Sequence, residues 1–138
     1  MVCTGNVCRS PIAQALLSAT LPTVDCRSAG THAMVGQPAD AIAVQLMAQR
    51  GIDLQSHIAS ALTEADLANA NVILTMTRAQ HAWIAAAWPA CAERLFLLGG
   101  EGQPDIVDPH RRTPFTFELA TAQIETGIAL WLDRIRAL

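Results

Sequence analysis

The 138-residue chain contains no lysine and no tyrosine, and its nine basic residues are all arginine. The net charge is −3 and no basic run occurs, so the electrostatic footprint that nucleic-acid binding needs is missing. No stretch approaches the ~18 consecutive apolar residues of a membrane span. The N-terminus lacks the charged start and apolar run of a signal peptide. These absences predict a cytoplasmic protein with no membrane insertion. Cysteine is sparse: Cys3, Cys8, Cys26 and Cys91. The Cys-x4-Cys spacing is not that of a zinc knuckle, and the other two stand alone. Free thiols in a reducing compartment are expected rather than a disulfide framework. His57 and His81 have no partner spaced for metal binding and read as structural.

About half of the residues, 51%, are hydrophobic, which argues against disorder. The length suits one domain over residues 1–138. Met1-Val2 is a short apolar stub before a polar loop from Cys3 to Ser10. Ser10-Pro11 reads as a helix N-cap and first helical position, with an Ala/Leu-rich helix to Thr20. Val24 to Ser28 is a strand candidate. Asp40 caps a helix running to about Arg50, and Gly51 ends it. Thr63-x-x-Asp66 resembles a capping box. Asn71 to Met76 and Arg94 to Leu98 are strands, with a helix from Thr77 to Trp88 between them. Gly99 to Pro114 is a long loop. A closing helix from about Phe115 to Ala137 carries Phe117, Ile124, Ile128, Trp131 and Ile135 at helical spacing. Trp83, Trp88 and Trp131 fit helix-to-sheet packing. Strands alternating with helices argue for an α/β fold, an open parallel sheet covered on both faces. Sites of such folds lie at the carboxyl ends of strands, where Cys3 and the Gly99–Pro114 loop both fall.

Cys3 and Arg9 form a Cys-x5-Arg loop that runs directly into a helix. Backbone N–H groups of such a loop cradle an anion, and the helix dipole adds to the field. Arg9 offers a planar fork to two phosphate oxygens. A thiol at the loop start is biased toward the thiolate, a nucleophile. Ser10 can donate a hydrogen bond to that sulfur. Thr4, Gly5, Asn6, Val7 and Cys8 complete the phosphate-binding loop, and Gly5 and Asn6 tolerate positive φ. Hydrolysis of a phosphate ester also needs a proton donor that later activates water. Asp108, in Asp105-Ile-Val-Asp108-Pro109-His110, is the first candidate and Asp105 its competitor. Taken singly, Cys3 also reads as a buried strand-end thiol and Asp108 as a turn initiator.

With these residues in place the chain resembles the low-molecular-weight protein-tyrosine phosphatases. Cys3-Thr-Gly-Asn-Val-Cys-Arg-Ser-Pro11 matches that family's phosphate loop. Ser28-Ala-Gly30, Gly51-Ile-Asp-Leu-x-x-His57, Ile73-Leu-Thr-Met76 and Asp108-Pro109 fall in its order and spacing. The resemblance implies a three-layer sandwich of the phosphotyrosine phosphatase I-like type, with a four-stranded parallel sheet flanked by helices. It implies a cysteinyl-phosphate intermediate, no metal and no organic cofactor. It also implies that Asn6 orders the loop with Ser28 as partner. His32, Met34 and His110 are expected at the substrate entrance. Cys8 is a redox candidate, since oxidation of Cys3 could be trapped as a Cys3–Cys8 disulfide. The stretches Ala29–Asp40 and Asp108–Thr113 look most like the bacterial branch, whose members act on tyrosine autokinases of capsule and exopolysaccharide export. A phosphotyrosine protein is thus the expected partner of a monomer or weak dimer.

Three departures from the family stand out. Only Met1 and Val2 precede Cys3, so the first strand is expected to be truncated, with the natural start upstream, residues missing, or the sheet weakened. His110 stands where the family often carries an aromatic residue, usually tyrosine. Val7 stands where tyrosine-specific members often carry Ile or Leu and arginine-specific members Thr. Protein-arginine phosphatase is therefore an alternative. So are a thiol-dependent arsenate reductase, which needs a later cysteine pair where only Cys91 exists, and an inactive phospho-ligand binding module.

Overall fold

A computed structural model describes residues 1–138. Four short strands, β1 (Val2–Cys3), β2 (Ala29–Gly30), β3 (Ile73–Thr75) and β4 (Leu95–Leu97), form one sheet in the order β2-β1-β3-β4. Every pairing is parallel, with Cys3 opposite Gly30, Val2 opposite Thr75 and Leu74 opposite Phe96. Parallel neighbours require crossovers, and helices supply them. These are α1 (Arg9–Thr20), α2 (Ala41–Gln49), α3 (Glu64–Asn69), α4 (Arg78–Ala87) and α5 (Pro114–Arg136).

Successive strand residues face opposite sides of the sheet, and β3 displays this directly. Leu74 joins the larger core, which Ile12, Leu17, Met47, Phe117, Ile124, Ile128 and Trp131 build from α1, α2 and α5. Ile73 joins the smaller core with Val2, Leu67, Ile84, Cys91 and Leu95, beneath α3 and α4. The result is the expected three-layer sandwich with a four-stranded parallel sheet. The helical spacing of α5 is realised, since Phe117, Ile124, Ile128, Trp131 and Ile135 are all buried.

The helix starts follow local chemistry. Asp40 accepts from the Ile42 N–H at the head of α2. Thr63 and Asp66 form a reciprocal capping box at α3, as Thr77 and Gln80 do at α4. Gly51 takes φ +74°, the left-handed conformation that ends α2. Pro89 does more than stop α4, because it opens a six-residue 3-10 turn, Pro89–Arg94.

Three expectations are corrected. The second strand lies at Ala29–Gly30, not at Val24–Ser28. Its position is set by pairing with the two-residue β1, through Ala29 N–H to the Met1 carbonyl and Thr31 N–H to the Cys3 carbonyl. Ser10 is not the N-cap of α1. Cys8 occupies that position without a side-chain cap, Arg9 and Ser10 begin the helix, and the Ser10 hydroxyl turns toward Cys3. Trp83 is 40% exposed rather than packed under its helix, and its ring meets His32 and Trp88.

Candidate active site

Strand order reverses at β1: the chain moves from β1 to β2 on one side and reaches β3 on the other. The loop after β1 therefore opens at the switch point where ligands of parallel sheets bind. Cys3 ends β1 and Arg9 starts α1, so five residues must turn the chain from strand to helix. Asn6 makes that turn at φ +58°. Its backbone N–H then points back at the Cys3 sulfur, at 3.3 Å.

A buried polar network holds the loop in this shape. The Asn6 amide nitrogen donates to the hydroxyls of Ser10 at 2.8 Å and Ser28 at 3.0 Å. Its amide oxygen accepts the Ser60 N–H at 2.9 Å. The Ser28 hydroxyl passes its own hydrogen to Gln14 at 2.6 Å. Because the Ser10 oxygen already accepts from Asn6, its hydrogen is free for the Cys3 sulfur, 2.9 Å away. Asn6 and Ser10 are fully buried and every buried side-chain polar atom is paired, so the network is closed.

Other segments fix the loop from outside. His57 Nε2 lies 2.8 Å from the Asn6 carbonyl and must carry the hydrogen there. Gln80 Nε2 donates to the Thr4 hydroxyl at 3.0 Å, while its oxygen accepts the N–H groups of Met76 and Thr77. Asp40 N–H donates to the Val7 carbonyl, and the Thr4 and Gly5 carbonyls accept from His32 and Met34. At Gly30 a Cβ would fall 2.5 Å from the Thr4 carbonyl oxygen, so only glycine fits beneath the loop. Gly30 belongs to the Ser28-Ala-Gly30 stretch already singled out, whereas Gln80 was not, since its contact with Thr4 joins distant parts of the chain.

Arg9 is 4% exposed. Its Nη1 donates to the Ile106 carbonyl at 3.1 Å, and its Nη2 lies 3.7 Å from a carboxylate oxygen of Asp108. The late loop thus meets the early one across the guanidinium. The Asp108 side chain is 59% exposed, and its other oxygen accepts the His110 N–H at 3.1 Å. Asp105 is engaged elsewhere: one of its oxygens takes both the backbone N–H and Nη1 of Arg78, at 3.0 Å each.

Around the mouth, a Cβ on Gly5 would touch the exposed Met34 side chain, placing that thioether against the loop. His110 Nδ1 is 3.9 Å from the Cys8 sulfur. His32 is exposed and its ring leans on Trp83, at 5.2 Å between centroids. Val7 and Cys8 are buried. Burial foremost, then the neighbouring Asp40 carboxylate, pushes the Cys8 thiol up to about 12, so it stays protonated at neutral pH. Cys91 is buried in the smaller core and bonded to the Trp88 carbonyl, and all four cysteines are free thiols.

Comparison with known proteins adds the remaining facts. The model of the family described as "Low molecular weight phosphotyrosine protein phosphatase" matches residues 1–137. Probable low molecular weight protein-tyrosine-phosphatase EpsP of Ralstonia solanacearum is 48% identical over 138 residues, covering 100% of this chain and 95% of that protein. The crystal structure of the Erwinia amylovora tyrosine phosphatase AmsI superposes with a TM-score of 0.90 at 33% identity, covering 96% of this chain and 89% of that one. The YwlE arginine phosphatase of Geobacillus stearothermophilus also gives a TM-score of 0.90, at 31% identity, covering 99% of this chain and 90% of that one.

Proposed function

The chain belongs to the low molecular weight phosphotyrosine protein phosphatase family, whose members work through a cysteinyl-phosphate, and on that premise we propose that Cys3 is the nucleophile of a phosphotyrosine hydrolase, with Arg9 as phosphate clamp and Asp108 as general acid. The observation that carries this reading is the setting of the Cys3 sulfur. It accepts the Asn6 N–H, faces the Ser10 hydroxyl and sits before a helix whose first turn no side chain caps. All three features stabilise a sulfur anion and, above it, a phosphate.

In the first step the Cys3 thiolate attacks phosphorus. Arg9 and the N–H groups of residues 4–10 hold the equatorial oxygens, and the fork geometry of Arg9 matches two of them. Asp108 gives its proton to the departing phenolate oxygen. In the second step Asp108 takes a proton from water, which attacks the cysteinyl-phosphate, and Ser10 donates to the departing sulfur. Val7 lines the site without a hydrogen-bonding group, which favours an aromatic ring over a guanidinium. Met34 and His110 would flank that ring, with His32 further out. Cys8 is the resolving thiol in this reading, should a peroxide oxidise Cys3 to the sulfenic acid. The substrate is a phosphotyrosine protein in the cytoplasm, and the bacterial-type loops at 29–40 and 108–113 favour a tyrosine autokinase.

The similarity to an arginine phosphatase keeps one second reading specific. Side-by-side assays on phosphotyrosine, phosphoserine and phosphoarginine peptides separate the two. Turnover of the phosphotyrosine peptide is expected to dominate. Cys3→Ser is expected to abolish turnover of p-nitrophenyl phosphate while phosphate still binds. Dominant release from phosphoarginine would overturn the substrate assignment, and undiminished turnover by Cys3→Ser would overturn the nucleophile.

A further inference from the structure

Cys8, Asp40 and His110 come from three separate segments: the loop after β1, the cap of α2 and the turn after Asp108. Their ligand atoms, a thiol sulfur, a carboxylate oxygen and an imidazole nitrogen, all lie within 4.8 Å of one another. None is fully used by the protein. The polar neighbour of the Cys8 sulfur is His110 Nδ1 at 3.9 Å, near the limit for a contact to sulfur. Asp40 spends one oxygen on the Ile42 N–H and leaves the other without a hydrogen bond. His110 is half-buried, with Cys8 buried beneath it.

We propose that Cys8, Asp40 and His110 form a three-ligand site for Zn2+ whose occupation inhibits the phosphatase. The donor set of sulfur, nitrogen and oxygen is that of zinc rather than of magnesium or calcium. Tetrahedral bonds of about 2.3 Å to sulfur and about 2.0–2.1 Å to nitrogen place those two atoms about 3.6 Å apart. The observed 3.9 Å separation needs only a small inward shift. On binding, the Cys8 S–H proton leaves to water and the sulfur–zinc bond replaces it, with no change of oxidation state. The carboxylates of Asp40 and Asp108 nearby favour a dication, against the single positive charge of Arg9. The fourth position is left open to water or to a phosphate oxygen.

Inhibition follows from what the three ligands join. His110 is two residues from Asp108 and donates its backbone N–H to that carboxylate, so fixing the imidazole fixes the acid's turn. Cys8 caps α1 inside the phosphate loop, and Asp40 N–H already holds the Val7 carbonyl. One ion would staple the acid loop to the phosphate loop and to α2. It would also hold product phosphate at its open position.

The inhibitory half rests on the proposed phosphatase reading, but the binding half does not, so the test has two readouts. The first is titration of the full chain with Zn2+ alone, followed by calorimetry, and with Co2+, followed by the thiolate-to-cobalt charge-transfer absorption. One ion per chain is expected. Loss of a direct ligand is expected to weaken binding by about 100-fold or more, the upper end of what even an outer partner costs. His110→Phe, a change at a half-exposed position, Asp40→Asn, which preserves the helix cap, and Cys8→Ser should each have this effect. Cys3→Ser should keep both zinc binding and the cobalt band. The second readout is the ratio of p-nitrophenyl phosphate turnover with and without Zn2+. It should fall with zinc in the parent chain and stay near one in His110→Phe. Binding that survives His110→Phe and Asp40→Asn, binding that vanishes in Cys3→Ser, or no binding at all overturns the site. Binding at the cluster with an unchanged turnover ratio overturns the inhibition. Absence of any turnover refutes the phosphatase reading, while the titrations still decide the metal site.

Discussion

Two aspartates three residues apart receive different environments, and the difference is geometric. Asp105 accepts two hydrogen bonds from Arg78 and pegs the late loop to the head of α4, with the Gln103 carbonyl taking a third from the same guanidinium. Asp108 touches Arg9 at 3.7 Å, accepts the His110 N–H on its other oxygen and is otherwise open to solvent, as the acid role proposed above requires. General acids typically contribute about 10²–10⁴ in rate. Asp108→Asn should therefore slow phenyl phosphate, with its poor leaving group, far more than p-nitrophenyl phosphate. Asp105→Asn should slow both to the same small extent and lower stability by about 1 kcal/mol or less, as expected for a partly exposed ion pair. Steady-state rates of the two variants over a series of substituted phenyl phosphates check this. Equal losses for good and poor leaving groups in Asp108→Asn would remove it from the acid role.

At the scale of elements, α5 shows where sequence pattern ends. Its apolar periodicity is readable from the chain, as is the box at Thr63, whereas the Thr113 cap and the Thr77 box emerge only in the structure. Gly127 is not, because its reason lies on another element. A Cβ there would meet the Leu98 side chain and carbonyl oxygen at 2.8 Å each. That carbonyl also accepts the Trp131 indole N–H, so it cannot retreat freely. Helix propensity alone favours Gly→Ala by about 1 kcal/mol; overpacking costs about 1–3 kcal/mol. Gly127→Ala is expected to lower the urea midpoint, and an unchanged or higher midpoint would mean that α5 lifts off β4 at little cost. The same distinction governs the site. The meeting of Cys3 with Ser10 and of Arg9 with Asp108 was legible because these candidates fall in one short loop and one Asp-Pro pair. The Asn6–Ser60, Asn6–His57 and Thr4–Gln80 bonds were not, since each joins residues more than fifty positions apart. The second strand was misplaced for a related reason: two residues carry no period, and their register is fixed only by the neighbouring strand.

The whole molecule consists of two cores sharing a sheet whose strands are two or three residues long. The smaller core contains six buried residues, and three of them, Val2, Ile73 and Leu95, belong to the sheet itself. It cannot persist once the larger core releases those strands, and the larger core loses one wall if the smaller opens. Mutual dependence of this kind favours a single cooperative transition. The tryptophans divide between the layers and make this testable. Trp131 lies in the larger core against Phe96, while Trp88 packs on the smaller core and its ring meets Trp83 on α4. In Trp131→Phe, fluorescence reports the α4 side; in the Trp83→Phe, Trp88→Phe double variant, it reports α5. Within each protein the fluorescence and far-ultraviolet circular dichroism curves in urea should share one midpoint, whatever that variant's own stability. Inorganic phosphate, expected on the proposed function to bind at the junction of the early and late loops, should shift both signals together, since a ligand of the native state stabilises everything that unfolds with its site. If the α4-side fluorescence melted first, or ignored phosphate while the α5 side responded, the two layers would be separable and the sheet would not be their common support.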